Sequence, residues 1–332
     1  MGNQSKLKQS QSLLPTICLV GLYVALVVYL SFLAPDRAMW PRLFALSLVA
    51  TGIVVVLYRW GRLSTAVILA VGIGLRLFFL PLEPTLTDDA YRYIWDGAVC
   101  ASGENPYAHK PSDARLVDFQ DDDIYALLNS KDYHTVYPPA SQLYFWISGY
   151  FYSDDWKPAY YTIKIALVAS EIIALLLLAQ LVPPLLLLLY AWHPLVLIET
   201  AGQAHTESGM LLFLVLCLWF AKRQQGSLAS IALAFAGMIK LYPFVLFPFL
   251  WRRFKWRGLV PGGLTALALL IPFYHPDFFA NIKSSLDLYV QYFEFNAGVY
   301  YAIKQVFLWW TGDDWSKTLG PFYAWYFCSA SL

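Results

Sequence analysis

Apolar runs broken by short polar stretches extend along almost the whole chain. Residues 13–33, 43–58, 64–82, 160–181 and 258–273 each form such a run, and about 20 apolar residues make a helix long enough to cross a ~30 Å hydrocarbon core. Between basic markers at residues 222–223 and 252–257 the pattern changes. Lys240-Leu-Tyr-Pro243 splits the apolar stretch into 228–239 and 244–251. Each half has only about 8–12 residues, some 12–18 Å of helix at 1.5 Å per residue. Two such halves predict a helical hairpin that carries Lys240 part-way into the apolar layer. Broken helices at that depth are tolerated where they line a protein-walled cavity. Residues 140–204 admit two solutions. Either 140–152 is an interfacial helix and 184–201 a span broken at His193-Pro194, or 140–152 crosses and 184–201 is re-entrant. Both leave His205 on the outer side.

Composition agrees with the pattern. Of 332 residues, 59% are hydrophobic and 14% charged, against about 25% charged in soluble chains. The expectation is an all-α polytopic membrane protein, one transmembrane domain over residues 1–332 with about 8–10 membrane or half-membrane helices. Net charge is +1, which excludes a basic nucleic-acid binder. Cys18, Cys100, Cys217 and Cys328 lie far apart without C-x-x-C spacing, so neither a disulfide framework nor a zinc site is indicated.

The distribution of charge orients the helices. Ten of the 23 Lys and Arg fall in four segments without acids, at residues 6–8, 59–62, 222–223 and 252–257. By the positive-inside rule these are cytoplasmic, as is the N-terminus. Residues 83–132 hold eleven acids and four basic residues; they predict a large first external loop, about 83–135, with amphipathic juxtamembrane helices. Residues 274–297 form a second external segment. The first apolar run is long and shows no small-residue cleavage site, so it reads as a signal-anchor. The last apolar runs, 299–310 and 321–332, are short, so the chain reads as C-terminally short.

Within this frame a few side chains stand out. Thr87-Asp88-Asp89 opens the external loop. It fits a helix N-terminus, and it equally fits a carboxylate at the water–membrane boundary, where partial desolvation makes a better general base. Arg76, inside an apolar helix, either snorkels to the headgroups or faces a cavity and binds phosphate. Lys240, in a helix-breaking turn, suits a lipid phosphate. His205 and Glu207 sit between two apolar segments; their spacing could seed a metal site, but further ligands at suitable spacing are missing. Hydrogen bonding to substrate or phosphate and an ordinary helix-end pair are the other readings. Aromatics cluster at residues 91–95, 133–146 and 289–301, Tyr91 and Tyr137 among them, as an interfacial belt or as sugar-binding surfaces. No G-x-x-x-x-G-K-[ST] motif supports ATP-driven transport.

Taken in order, these segments resemble a known family. Leu86-Thr-Asp-Asp-Ala-Tyr-Arg-Tyr-Ile-Trp-Asp-Gly97, Gly103-Glu-Asn-Pro-Tyr107 and Val136-Tyr-Pro-Pro139 look like the first external loop of GT-C glycosyltransferases, in particular polyprenyl-phosphate-mannose-dependent alpha-mannosyltransferases. Ala191-Trp-His-Pro-Leu-Val-Leu-Ile-Glu199 with His205 and Glu207 is similar to the family's W-N-P-L…E…G-H-x-D/E stretch, with His193 where relatives usually carry Asn. Met238-Ile-Lys-Leu-Tyr-Pro243 resembles its K-x-x-P turn, and Phe293-Glu-Phe-Asn296 its late external motif.

The resemblance implies a GT-C-like bundle and an inverting, single-step transfer of a hexose, mannose favoured, from a polyprenyl-phosphate donor to a hydroxyl acceptor on a lipid, glycan or protein. It implies Asp88, with Asp89 second, as general base. Arg76, Lys240, Arg92 and His205 would hold the donor phosphate, and Tyr91, Tyr137, Glu207, Glu294 and Asn296 the substrates. No cofactor is required, since fixed cations can neutralise the phosphate, although metal dependence varies in the family. The implied setting is a bacterial plasma membrane with the site on the outer face. A lipid-linked-sugar flippase or a small-molecule transporter is the alternative from another class, and a catalytically silent scaffold a third.

Overall fold

The computed structural model describes residues 14–33, 37–60, 63–120, 123–153, 155–291 and 298–312, and the regular structure among them is all helical. The longer helices are α1 (Leu14–Leu33), α2 (Trp40–Trp60), α3 (Thr65–Phe79), α4 (Asp89–Ala101), α5 (Pro139–Gly149) and α6 (Lys157–Leu178). They continue as α7 (Pro184–Ala191), α8 (Glu207–Lys222), α9 (Gly226–Ile239), α10 (Phe247–Leu270), α11 (Phe278–Gln291) and α12 (Gly298–Thr311). The chain forms two compact units, Met1–Ile282 and Lys283–Leu332. The candidate site lies in the first.

Local sequence explains many boundaries. Ser64 caps α3 by accepting the Val67 N–H at 3.3 Å. Prolines open α5, α6 and α7, where a missing N–H costs nothing. In α1 only Tyr23, Val27, Leu30 and Ser31 are buried, one narrow stripe, while Leu14, Ile17, Leu22 and Phe32 are more than half exposed. A helix apolar on every side with one packed stripe belongs in lipid. Among the described residues three continuous helices are long and apolar enough to span a bilayer, Leu14–Leu33, Trp40–Trp60 and Lys157–Leu178, and the apolar stretch Tyr242–Phe273 has the length and composition as well but reverses direction at Lys255. Pro184–Ala191 and Pro194–Gly202 meet the same length and apolarity only as a pair, bent by 47°. The protein is an all-α polytopic membrane protein.

Buried polar groups tie helices together inside this body. Tyr23 stacks on Trp192 at 5.2 Å and donates its hydroxyl to the Trp192 carbonyl, while the Trp192 indole N–H donates to the Ile68 carbonyl at 2.9 Å. These contacts join α1 and α3 to the break after α7, where the residue before Pro194 must leave the helix.

The segment around Lys240 folds back on itself. Phe244 lies on Gly237, Phe254 lies on Gly226, and the Gly262 N–H donates to Ser230 Oγ at 3.1 Å. Residues 244–254, which include the start of α10, therefore run antiparallel to α9, and the remainder of α10 returns alongside it after a sharp break at Lys255, whose φ is +54°. Lys240 is extended, between the arms. The tip reaches the level of Glu207 at the start of α8 (below), so the arm is not confined to part of that helix's depth. Antiparallel packing on α8 lets a 14-residue arm match a 16-residue helix.

Helix α5 resolves the ambiguity of residues 140–152. With 11 residues it is about 16 Å long, too short to span. It crosses α4 backbone against backbone: a Cβ on Gly97 would strike the Phe145 carbonyl, and one on Gly149 the Gly97 carbonyl. Phe145 stacks on Tyr93 at 4.5 Å to complete the pair. Gly149→Ala and Gly97→Ala are each expected to lower stability by about 1–3 kcal/mol through overpacking. Gly21→Ala, whose Cβ would meet nothing within 4 Å, is the control. Thermal unfolding of the three variants in detergent checks this, and equal melting of all three would refute the tight crossing.

Candidate functional site

Two polar loops meet at one end of the bundle, held together from below by α6. Lys164 is buried and donates from Nζ to the carbonyls of Leu82 and, at 2.9 Å, Gly202. Gln203 Oε1 accepts the backbone N–H groups of Thr85 and Leu86, both at 2.9 Å. The Tyr161 hydroxyl donates to the Pro81 carbonyl at 2.9 Å. These bonds tie the segment leading to Asp88 and Asp89 to the one leading to His205.

The second loop is shaped by an unusual turn. Leu197–Gly202 is a π-helix, a form that tends to mark functional sites. Ala204, fully buried, follows in a left-handed conformation with φ of +59°, which is strained for a residue bearing a Cβ. The His205 N–H reaches back to the Glu199 carbonyl at 3.2 Å, and His205 Nδ1 lies 2.9 Å from Glu199 Oε2. In a regular helix residues six apart do not face each other; the widened turn and Ala204 bring these two together. Burial alone would lower the His205 pKa. The Glu199 hydrogen bond and the charges of Glu199, Glu207 and Asp89 outweigh it and hold the imidazole above its ordinary value.

Lys240 enters from the hairpin tip. Its Nζ is 3.1 Å from Glu207 Oε1 and 6.0 Å from the centre of the Tyr137 ring. Tyr137 is itself fixed, with its carbonyl accepting the Tyr107 hydroxyl at 2.5 Å and its ring edge-on to Tyr93 at 4.9 Å. On the facing loop Asp88 is the N-cap of α4 without a side-chain capping bond, and Thr87 Oγ1 accepts the Asp89 N–H at 3.2 Å. Both aspartates are half-buried. The structure thus gathers Lys240, Glu207, His205, Glu199, Tyr137 and Asp89 at one end, with Asp88 adjoining. Two of their buried atoms, His205 Nε2 and Glu207 Oε2, have no hydrogen-bond partner among the described residues.

Two expected phosphate ligands stand elsewhere, which corrects the expectation of a cavity-facing Arg76. Arg76 is completely buried. Its guanidinium is 2.8 Å from Glu171 Oε1 and donates to the Ala191 and Gly72 carbonyls at 2.8 and 2.9 Å. Arg92 is also buried: it pairs with Asp96 at 2.7 Å and donates to the Ser130 and Tyr133 carbonyls at 3.2 and 3.0 Å. Gln142 donates to the other Asp96 oxygen at 2.9 Å. Arg76 holds helices together, and Arg92 ties α4 to the 130–133 loop. Tyr91 packs edge-on against Trp156 at 5.3 Å, one helical turn into α4. Glu294 and Asn296 lie outside the described residues.

Sequence reasoning passed over Glu199, Lys164, Glu171 and Gln203. The first stood in a quoted motif, but its partner is six residues away. Lys164 and Glu171 carried a usable signal, as ionisable residues on one apolar helix. Among the described residues no three His, Cys, Asp or Glu side chains group as a metal site.

An all-helical membrane protein with ionisable side chains gathered at one end of an apolar bundle is built for chemistry at a membrane boundary. Over residues 25–254 the chain matches the model of the MptA_B family, described as alpha-(1→6)-mannopyranosyltransferase, N-terminal domain, and it belongs to that family. It is a glycosyltransferase of the alpha-mannosyltransferase kind, acting between a sugar donor and a glycan acceptor. Neither curated proteins nor solved structures give a significant match.

The buried arginine gives a test of the division between support and site. Arg76→Met leaves Glu171 charged in an apolar interior and is expected to cost about 3–5 kcal/mol. Adding Glu171→Gln is expected to recover most of that. Unfolding in detergent measures both, and an Arg76→Met protein as stable as wild type would contradict the structural role.

Proposed function

We propose that the protein transfers mannose from a polyprenyl-phosphate-linked donor to a hydroxyl of a glycan acceptor, with inversion, on the outer face of a bacterial plasma membrane. The observation that carries this reading is the meeting of Lys240, His205 and Glu207 with the Asp88–Asp89 loop in a chain of the mannosyltransferase family. The end remote from the site carries Arg59, Lys222, Arg223 and the 252–257 basic run, which supports a cytoplasmic N-terminus and an outward site.

In this scheme Asp88 takes the proton of the acceptor hydroxyl, whose oxygen attacks the anomeric carbon. The bond from that carbon to the phosphate oxygen breaks, and its electron pair leaves with the polyprenyl phosphate. Inversion makes an α product from a β-linked donor. The donor phosphodiester carries one negative charge and the leaving monoester approaches two, so the charge to be stabilised grows during the step. Lys240 keeps N–H donors beyond the one facing Glu207, and His205 presents Nε2. These two cations replace the wider set of four expected from sequence, because Arg76 and Arg92 are already bound. Tyr137 offers a ring face beside Lys240 for the sugar. Two loops held at fixed spacing bring acceptor and anomeric carbon into line. Asp89, whose charge reaches His205, is the second candidate base. No metal enters the scheme.

The test is transfer from radiolabelled polyprenyl-phosphate mannose in membranes expressing each variant. Asp88→Asn is expected to lower kcat by about 10²–10⁴-fold, the usual worth of a general base, with a smaller loss for Asp89→Asn. The opposite order would move the base to Asp89, and transfer unaffected by either would remove both. Lys240→Met is expected to raise the donor KM and lower kcat while unfolding normally. Movement of the lipid-linked sugar across the bilayer with no transfer would favour a flippase.

A further inference from the structure

We infer that Glu199 is a positioning residue that keeps His205 doubly protonated, so that its Nε2–H meets the phosphate leaving group as a charged donor. The inference deepens the proposed transfer and rests on it for the role of the phosphate. Its geometric basis is independent of that reading. Glu199 Oε2 lies 2.9 Å from His205 Nδ1, so this nitrogen is spoken for as a donor. The other ring nitrogen is buried yet has no partner among the described residues. A neutral imidazole with Nδ1 protonated would present a lone pair at Nε2, which repels a phosphate oxygen. Only the imidazolium offers N–H groups to both sides.

The backbone is strained to produce this pair. The π turn at Leu197–Gly202 and the left-handed Ala204 bring together two side chains that a regular helix would keep apart. Strain of this kind persists where the surroundings enforce it and clusters at functional sites. Three carboxylates face His205: Glu199 from the π turn, Glu207 from α8 and Asp89 from α4. Lys240 from the hairpin tip is the neighbouring cation and is bonded to Glu207, which leaves Glu199 as the carboxylate in direct contact with the ring. When the sugar–phosphate bond breaks, the electron pair goes to the phosphate oxygen. His205 retains its proton, and the acceptor proton goes to the loop aspartate.

The sign of the pH dependence follows. Activity supported by the imidazolium is present at low pH and is lost as pH rises through the His205 pKa. Glu199→Gln keeps a hydrogen-bonding group of the same shape but removes the charge. The descending limb of kcat/KM, followed from about pH 5 to pH 9, is expected to move down by about one unit or more, as for loss of an adjacent opposite charge. Glu199→Asp is expected to restore it in part. An unmoved limb in an active Glu199→Gln protein would overturn the inference, whereas a wild type that transfers from no polyprenyl-phosphate sugar would overturn the proposed function instead. Histidine ¹⁵N NMR of the purified protein, with the signal assigned by loss in His205→Gln, reads the same quantity without turnover. A lower His205 pKa in Glu199→Gln supports the inference, and an unchanged one refutes it.

Discussion

A polar group carried into an apolar bundle has no water to fall back on, and this chain carries several: Arg76, Glu171, Lys164, Tyr190 and the broken backbone after α7. Arg76 and Glu171 answer each other at 2.8 Å, and each makes further bonds to other helices. Arg76 reaches the Ala191 carbonyl at the end of α7, and Glu171 accepts the Tyr190 hydroxyl at 2.9 Å and Ser208 Oγ of α8 at 3.4 Å. One ion pair therefore joins α3, α6, α7 and α8. The Asp88–Asp89 and His205 loops extend from those helices, so their relative placement depends on this pair, and Lys240 reaches them through its contact with Glu207.

The site itself is assembled from pieces that could not form it alone. The Asp88–Asp89 segment is short and half-exposed, and takes its place through Gln203 and Lys164. His205 is aimed by a π turn and a strained alanine. Lys240 arrives on a hairpin that folds back because Pro243 and an extended lysine end α9. Loops usually carry chemistry because a rigid scaffold positions them; here the scaffold is bonded to the loops by backbone carbonyls as much as by side chains. Carboxylates outnumber cations in the assembled cluster, an arrangement that favours a protonated histidine and leaves Lys240 partly occupied until an anion arrives.

Much of this was legible in the chain. The apolar runs announced the long apolar helices, and the Lys240–Pro243 break marked the hairpin. His205, Glu207 and Lys240, read separately, lie together. What was not legible depends on backbone geometry that sequence spacing conceals. Glu199 and His205 are six residues apart, so helix periodicity argues against their contact, and only a π turn reverses that. Arg76 looked available because its partner, Glu171, is 95 residues away. A lone arginine in an apolar run and a lone glutamate in another each suggest function, and only their juxtaposition shows that they satisfy one another. The hairpin reaches the level of Glu207 because α9 packs against a helix of nearly its own length, which hydropathy does not reveal.

The most direct measurement is a cryo-electron-microscopy structure of the purified protein with a non-transferable polyprenyl-phosphate mannose analogue bound. The phosphate is expected within hydrogen-bond distance, about 2.7–3.2 Å, of both Lys240 Nζ and His205 Nε2, with the anomeric carbon turned toward the Asp88–Asp89 loop. A phosphate bound at the opposite end, among Arg252, Arg253 and Arg257, or held by neither Lys240 nor His205, would contradict the proposed site.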